Sequence, residues 1–323
     1  MSKNKLFSSN PSKTLLVILA CILWGSAFPL LKITYKEMNI PASDMSAKIF
    51  LAGIRFFMAS ILIFLFSTIV IKKSIKIKKN KFLPLLGLGI FQTSINYFLF
   101  YTGVGNSSGI KASIIGSLSV FFVIVLAHFL YSNDRINFSK VIGLILGFLG
   151  IISVNWTSSF QFTFSFKGEG FLVISSFITA CCTLYSKHIS KKINTILITG
   201  WQMFLGSLFL LFIGYTNTSI NALVFTPKVI ILIIYSAFLS ATAFSIWFTL
   251  LKYNKASEIA LYKFTVPISG SILSSIFLPT EKFTFHITLG LALVAIGIIF
   301  VNSNIKSICF FKKQHKLQNG YKK

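Results

Sequence analysis

The chain runs again and again for about twenty residues with almost no charge. Ten such runs can be read, at about 14–35, 47–71, 82–104, 110–131, 139–157, 168–188, 195–217, 228–253, 257–278 and 285–303. At 1.5 Å per residue, roughly twenty helical residues cross a hydrocarbon core about 30 Å thick. Inside that core an isolated segment must pair its own backbone N–H and C=O groups, which a helix does and an extended strand does not. The runs therefore predict an all-α polytopic membrane protein with ten transmembrane helices. Composition agrees. Of 323 residues 54% are hydrophobic and only 11% charged, with mean hydropathy +0.80. A soluble domain carries about 25% charged residues. This chain lacks the polar residues to cover a water-facing surface, which excludes an ordinary soluble enzyme.

The formal charge of +25 would suggest a nucleic-acid partner if it were spread over a surface. The bases instead sit in short clusters between the apolar runs, as charged loops do, and no nucleic-acid partner is expected. With ten spans both termini lie on one side. That side carries 22 of the 31 basic residues, including six in the 72–81 loop and six in the tail; the other side carries 6. Lys32, Arg55 and Lys263 fall inside spans. The asymmetry places both termini in the cytoplasm of a cell whose inner (plasma) membrane holds the chain. Ile18-Leu19-Ala20-Cys21 faintly resembles a lipoprotein cleavage box, but the apolar run continues past Cys21 and is read as a retained span. Cys21, Cys181, Cys182 and Cys309 show no ligand spacing and no CxxC, so free thiols are expected, with no metal and no cofactor.

The chain repeats itself. Sliding 113–155 onto 260–302, an offset of 147, makes nine of eighteen positions identical between 138–155 and 285–302. They include Gly143/Gly290, Gly150/Gly297 and Asn155/Asn302. Asp134-Arg135 falls on Glu281-Lys282, an acid then a base each time. The offset pairs span four with nine and span five with ten, so the unit is five spans. Five is odd, and the second unit enters the membrane upside down. Inverted repeats are the signature of secondary transporters, which rock one half against the other around a midplane site. The expected division is a first five-helix repeat at 1–157, a second, inverted one at 158–303, and a basic cytoplasmic tail at 304–323.

This arrangement, with Leu23-Trp24-Gly25-Ser26-Ala27-Phe28-Pro29-Leu30-Leu31-Lys32 in the first span, resembles the EamA family of the drug/metabolite transporter superfamily. Each half closes with a polar knot and a Gly-rich helix, Asp134 with Gly143, Gly147 and Gly150, then Glu281 with Gly290 and Gly297. Pro267 keeps a proline common midway along span nine, whereas Val120 stands at the matching place in span four. The first knot reads Asn133-Asp134 rather than Gly-Glu. The resemblance covers nearly the whole chain. It implies a small-metabolite transporter, with export the more usual direction and an amino acid among the candidate substrates.

Polar residues within the spans are the candidates for a substrate site. Gln92 and Asn96 stand at i and i+4 in span three and present two amides on one helix face. Trp24 and Ser26 in span one, Tyr185 in span six, and Trp201 and Gln202 in span seven are further candidates. Ser236, Ser240 and Trp247 make one stripe of span eight. For each the competing reading is helix packing or interfacial anchoring. Pro29 and Pro267 each free a backbone carbonyl and are candidate hinges, or tolerated kinks. Gly143 and Gly147 form GxxxG, which fits a close crossing within the chain or a homodimer contact. Asp134 and Glu281 precede helices and are read as caps.

Arg55 and Lys263 have no carboxylate in the middle of any span to pair with. A charge at such depth costs about 2.5–3.5 kcal/mol on insertion scales. Either they snorkel along their own stems, or Lys263, with Arg55, meets a carboxylate or phosphate of the substrate. Tyr262 adjoins Lys263, and Pro267 follows four residues on, so Lys263 should sit beside any break in span nine. Catalytic patterns are weak: His128 and Asp134 are one residue too far apart for an acyltransferase box, and there is no P-loop and no GxGxxG. The reading is a transporter rather than an enzyme, whose partners are a small-molecule substrate and the lipid bilayer. The alternative is a flippase or facilitator for a lipid-linked or phosphorylated sugar. Cysteines placed singly in the 72–81 loop and the 306–323 tail should label only from the cytoplasmic side, and cysteines replacing Lys167 and Lys228 only from outside. A tail labelled from outside intact cells would sink the ten-span topology.

Overall fold

The computed structural model describes residues 7, 9–41, 44–156, 164–217, 223–279 and 282–302. Glu281 and the 304–323 tail, with Cys309, lie outside them. Every regular element among the described residues is helical. The α-helices, in order, are α1 Asn10–Glu37, α2 Met45–Leu65, α3 Lys79–Leu88, α4 Asn96–Gly105, α5 Gly109–Leu130, α6 Phe138–Val154, α7 Phe171–Ile189, α8 Thr195–Asn217, α9 Pro227–Tyr253, α10 Ala256–Leu261, α11 Thr265–Phe277 and α12 Phe285–Asn302, with π-helical turns at Phe66–Val70 and Phe166–Gly170. α3 and α4 are joined by a π-helical stretch, Gly89–Ile95, and α10 and α11 by a 3-10 turn, Tyr262–Phe264. Nine stretches among the described residues are long and apolar enough to cross a membrane. α6, at 17 residues, is shorter. Large apolar side chains such as Leu15, Leu83, Phe129, Phe212 and Ile231 stand exposed along these helices, as a lipid solvent allows and water does not. The protein is a multi-pass membrane protein.

Polar contacts gather the loops into two ends. At one end Lys81 Nζ reaches the Lys192 carbonyl at 2.9 Å, and Asn254 Nδ2 reaches Phe7 O at 2.8 Å. Lys187 Nζ donates to Leu251 O at 2.7 Å and to Asn254 O, satisfying carbonyls left open where α9 ends. At the other end Lys228 pairs with Glu37 at 2.6 Å, and Lys111 with Glu169 at 3.1 Å. α6 begins at the first end, beside Asp134. It finishes at the second, where Asn155 Nδ2 meets Ser113 Oγ at 3.2 Å and Ser153 Oγ donates to His286 O at 3.1 Å.

The largest contacts between helices recur when each half is exchanged for the other. α1 packs on α11 as α5 packs on α7; α1 packs on α9 as α4 and α7 do; α2 packs on α9 as the 79–95 stretch packs on α8. Three pairs map onto themselves, α2 with α8, α6 with α12 and α5 with α10. In the second, a Cβ on Gly143 would strike Val301, and one on Gly290 would strike Val154; a Cβ on Gly150 would strike Val294 and crowd the Gly290 carbonyl. The 147-residue offset carries the Gly143–Val301 contact onto Gly290–Val154. The GxxxG face is thus filled within the chain: Gly143 meets α12, and Gly147 lies against the Phe264 ring.

Asp134 is a cap, but not of the helix that follows it. Asn137 caps α6, its Oδ1 accepting from Lys140 N at 3.0 Å. Asp134 reaches across to α10, accepting from Ser257 N at 3.1 Å and from Ser257 Oγ, while Lys140 Nζ holds it at 2.7 Å. Sequence spacing favoured the nearer helix; the fold brings a first turn from 123 residues away. Burial by itself would raise the Asp134 pKa, but Lys140 and the Ser257 donors outweigh it and hold the carboxyl below its usual range. A depressed folded pKa gives stability that is complete above the ordinary carboxylate pKa and is lost as pH falls through the folded value. Thermal unfolding in detergent should therefore show the protein weakening below about pH 4, the usual carboxylate value. Asp134→Asn should remove that part of the acid sensitivity and cost on the order of 3 kcal/mol at neutral pH, as breaking a buried pair does.

Candidate functional site

Pro267 shapes the site. Proline lacks an N–H, and its ring crowds the carbonyl four residues back, which is that of Lys263. The helix breaks there: α10 ends at Leu261, the 3-10 turn holds Tyr262–Phe264, and α11 resumes at Thr265. Lys263 stands in that turn, as its spacing from Pro267 predicts. Pro29 does not act alike, since α1 runs unbroken through it. Gly25, the residue four before Pro29, has no side chain, and α11 crosses so close that a Cβ there would collide with Ser269 and Gly270 N.

Lys263 does not snorkel. Its Nζ lies 5.0 Å from the centre of the Trp247 ring and 5.9 Å from that of Trp24. The two rings tilt against each other at 5.1 Å, and Phe244 meets Trp24 edge-on at 5.1 Å. A ring face attracts a cation through its quadrupole, by about 0.5–2 kcal/mol depending on desolvation. No carboxylate among the described residues pairs with Lys263.

Arg55 is 4% exposed and also stays inside. Its Nε donates to Ser240 Oγ at 2.6 Å, and its guanidinium carbon lies 5.2 Å from the Phe56 ring centre. Ser240 in turn donates to the Ser236 carbonyl at 2.7 Å. Phe56 packs on Tyr97 at 4.5 Å and edge-on to Phe244 at 6.4 Å. α9 therefore joins both cations. Ser236, Ser240, Phe244 and Trp247 recur at i, i+4, i+8 and i+11, one face of the helix. Ser240 steadies Arg55, and Trp247, about 10 Å further along the axis, steadies Lys263.

Of the residues the sequence singles out, the structure brings together Trp24, Arg55, Ser240, Trp247 and Lys263, and adds Phe56, Tyr97 and Phe244. Three phenylalanine-rich helices gave no signal that would distinguish Phe56 and Phe244 from other apolar positions; their relation to Arg55 is purely tertiary. The other candidates lie elsewhere. Asn96 Oδ1 accepts from Ser175 at 2.7 Å and Thr179 at 3.2 Å, bridging α4 to α7. Gln202 Oε1 accepts from Thr93 at 2.6 Å, bridging α8 to the π-helical stretch. Gln92, four residues from Asn96, is buried in that stretch. Trp201 holds the Ile75 carbonyl at 2.9 Å and so anchors the basic 72–81 loop. Tyr262 is buried with its hydroxyl between Thr14 and Asn302, at 3.0 and 2.7 Å. Ser26 meets the Tyr235 hydroxyl at 3.1 Å, and Tyr185 is exposed on α7. An amide or an indole in an apolar run marks a polar contact, but only the fold decides whether that contact is another helix or a cavity.

The EamA-like transporter family model matches the chain twice, over residues 12–156 and 166–303. The chain belongs to that family. Among relatives in the family, the Uncharacterized transporter YvbV of Bacillus subtilis (strain 168) is 29% identical over 297 residues, covering 91% of this chain and 92% of that protein. An uncharacterized transporter of Archaeoglobus fulgidus is 29% identical over 292 residues, covering 90% and 98%. A solved crystal structure superposes with a TM-score of 0.74 at 15% identity, over 91% of this chain and 97% of the other, and shares the fold. The family makes this chain a membrane transporter.

The Arg55–Ser240 contact is testable by stability. Ser240→Ala should leave the buried Nε without an acceptor and lower the stability of the purified protein by about 1–3 kcal/mol. Ser236→Ala removes only a hydroxyl bonded to its own helix, to Ile233 O at 2.7 Å, and should change the thermal midpoint little.

Proposed function

We propose that the chain is a secondary transporter that exports a small organic metabolite, an amino acid or a similar compound, by alternating access between two inverted five-helix repeats. The repeats are residues 1–157 and 158–303. The observation that carries this reading is the helix exchange described above: the largest helix–helix contacts of one half recur in the other, and the Gly143–Val301 contact maps onto Gly290–Val154. Counting α6 as a span gives ten crossings, which its two polar ends support, since one meets Asp134 and α10 and the other Ser113 and His286. Two halves of equal construction and opposite direction give a structure two arrangements of similar energy, each open to one side. Both termini are placed in the cytoplasm by the excess of lysine on that side. The outward direction follows the family resemblance.

The coupling follows from where the acids are. Glu37, Asp44, Asp134, Glu169 and Glu258 all stand at helix ends, and Glu258 is already engaged by Lys255 at 3.3 Å and Lys13 at 3.8 Å. Proton-driven carriers commonly use carboxylates within the membrane as relays. This chain moves its substrate down the substrate's own gradient or in exchange. In proteoliposomes loaded with labelled metabolites, flux should depend on the protein and be stimulated by unlabelled substrate on the far side. An imposed pH gradient alone should drive no accumulation. Uphill accumulation under that gradient, lost in Glu258→Gln, would sink the uncoupled mechanism; scrambling of a lipid-linked sugar without any flux of water-soluble metabolites would sink the exporter.

A further inference from the structure

The Trp24 indole Nε1–H is buried and has no acceptor among the described residues. A buried donor without an acceptor is rare in a folded protein, because the water it gave up has not been replaced. This one belongs to the ring cluster that holds the Lys263 ammonium, itself without a carboxylate among the described residues. Two donors, one of them a full positive charge, share one place with no hydrogen-bond acceptor or carboxylate among the described residues. Seven residues back along α9, Ser240 engages only the Nε of Arg55; the terminal guanidinium nitrogens make no protein hydrogen bond among the described residues. A run of rings in contact, Trp24, Phe244, Phe56 and Tyr97, links the surroundings of Lys263 to those of Arg55. Trp24, Tyr97 and Lys263 are half-buried, while Phe56, Phe244 and Trp247 are buried.

We infer that these residues form a two-ended site for an organic acid with a flat apolar body. Its carboxylate meets Lys263 Nζ and Trp24 Nε1–H, its ring lies among the aromatic side chains, and a second hydrogen-bond acceptor at its far edge meets Arg55. The separation assigns the cations different jobs. Their contacts on α9, Ser240 and Trp247, stand about 10 Å apart along the helix axis, so Arg55 selects for what the ligand carries opposite its acid. A lone ammonium with an indole N–H suits a single acidic head. The Arg55 fork, with several donors in one plane, suits a planar acceptor such as an amide or a second carboxylate. This rests on the transporter reading only for its physiological meaning; the site itself is tested by binding.

The probes are benzoate, benzamide and 4-carbamoylbenzoate, added to the full chain purified in detergent. Affinity is read from quenching of tryptophan fluorescence and from the ligand-induced rise in thermal midpoint. Benzoate should bind at least tenfold more tightly than benzamide, and 4-carbamoylbenzoate more tightly than benzoate. Lys263→Gln should abolish the preference for acid over amide, and Lys263→Arg should retain it. Trp24→Phe should weaken benzoate several-fold and leave benzamide nearly unchanged. Arg55→Gln should erase the advantage of 4-carbamoylbenzoate while keeping that of benzoate over benzamide. Lys36→Gln, at the exposed end of α1, should alter none of these. Equal binding of benzoate and benzamide by the folded wild-type protein overturns the site even if every variant fails to fold, and so does an acid preference that survives Lys263→Gln. Failure of all three probes to bind the folded protein overturns it too. Binding as expected with no transport in proteoliposomes would instead sink the transporter reading and leave the site standing.

Discussion

Helices in lipid gain nothing from hiding apolar surface from one another, because the lipid tails are as apolar as leucine. Close approach and polar bridges must hold this bundle together. Glycine supplies the approach. A Cβ on Gly53 would strike Leu211, and one on Gly214 would strike Phe50, so α2 and α8 meet backbone to side chain along their length. Gly143, Gly150 and Gly290 do the same for α6 and α12. Small hydroxyls and amides add the bridges, as where Ser176 donates to the Ile115 carbonyl at 2.9 Å between α7 and α5. The self-paired contacts, α2 with α8, α6 with α12 and α5 with α10, join one half of the chain to the other.

Against that apolar background the two inner cations are costly, and the fold offsets the cost locally. Arg55 receives a hydroxyl from α9 and a ring from its own helix; Lys263 receives two indoles. Both arrangements use the same face of α9. A helix backed by buried Phe244, Trp247 and Phe248 has little freedom to rotate, so the stripe presents Ser240 to Arg55 and Trp247 to Lys263 from one face. The Pro267 break sets the third coordinate by placing Lys263 in a turn rather than on a regular helix face. Together these features hold two positive side chains against aromatic rings inside the bundle.

The ends of the bundle are held differently. There, lysine ammoniums cap helix carbonyls, as Lys187 does for α9, and carboxylates hold helix starts, as Asp134 does for α10. Asp134 joins the first half to the second at the end that carries Lys13 and Glu258, close to the broken helix that bears Lys263.

The sequence by itself determined the class of the molecule. Twenty-residue apolar runs force helices because lipid offers the backbone no other partner, and the 147-residue repeat, with its glycines, is legible because the closing helices face each other and need the same small residues. It also placed Lys263 at a break, since the effect of a proline on the carbonyl four residues back is local chemistry. The tertiary structure decided the rest. It chose which helix Asp134 caps, turned Trp201 toward the Ile75 carbonyl and Asn96 toward Ser175, and set Arg55 on Ser240. Each of these is a contact between residues far apart in the chain, where several partners satisfy the same donor equally well by chemistry and only the packing of the helices selects one.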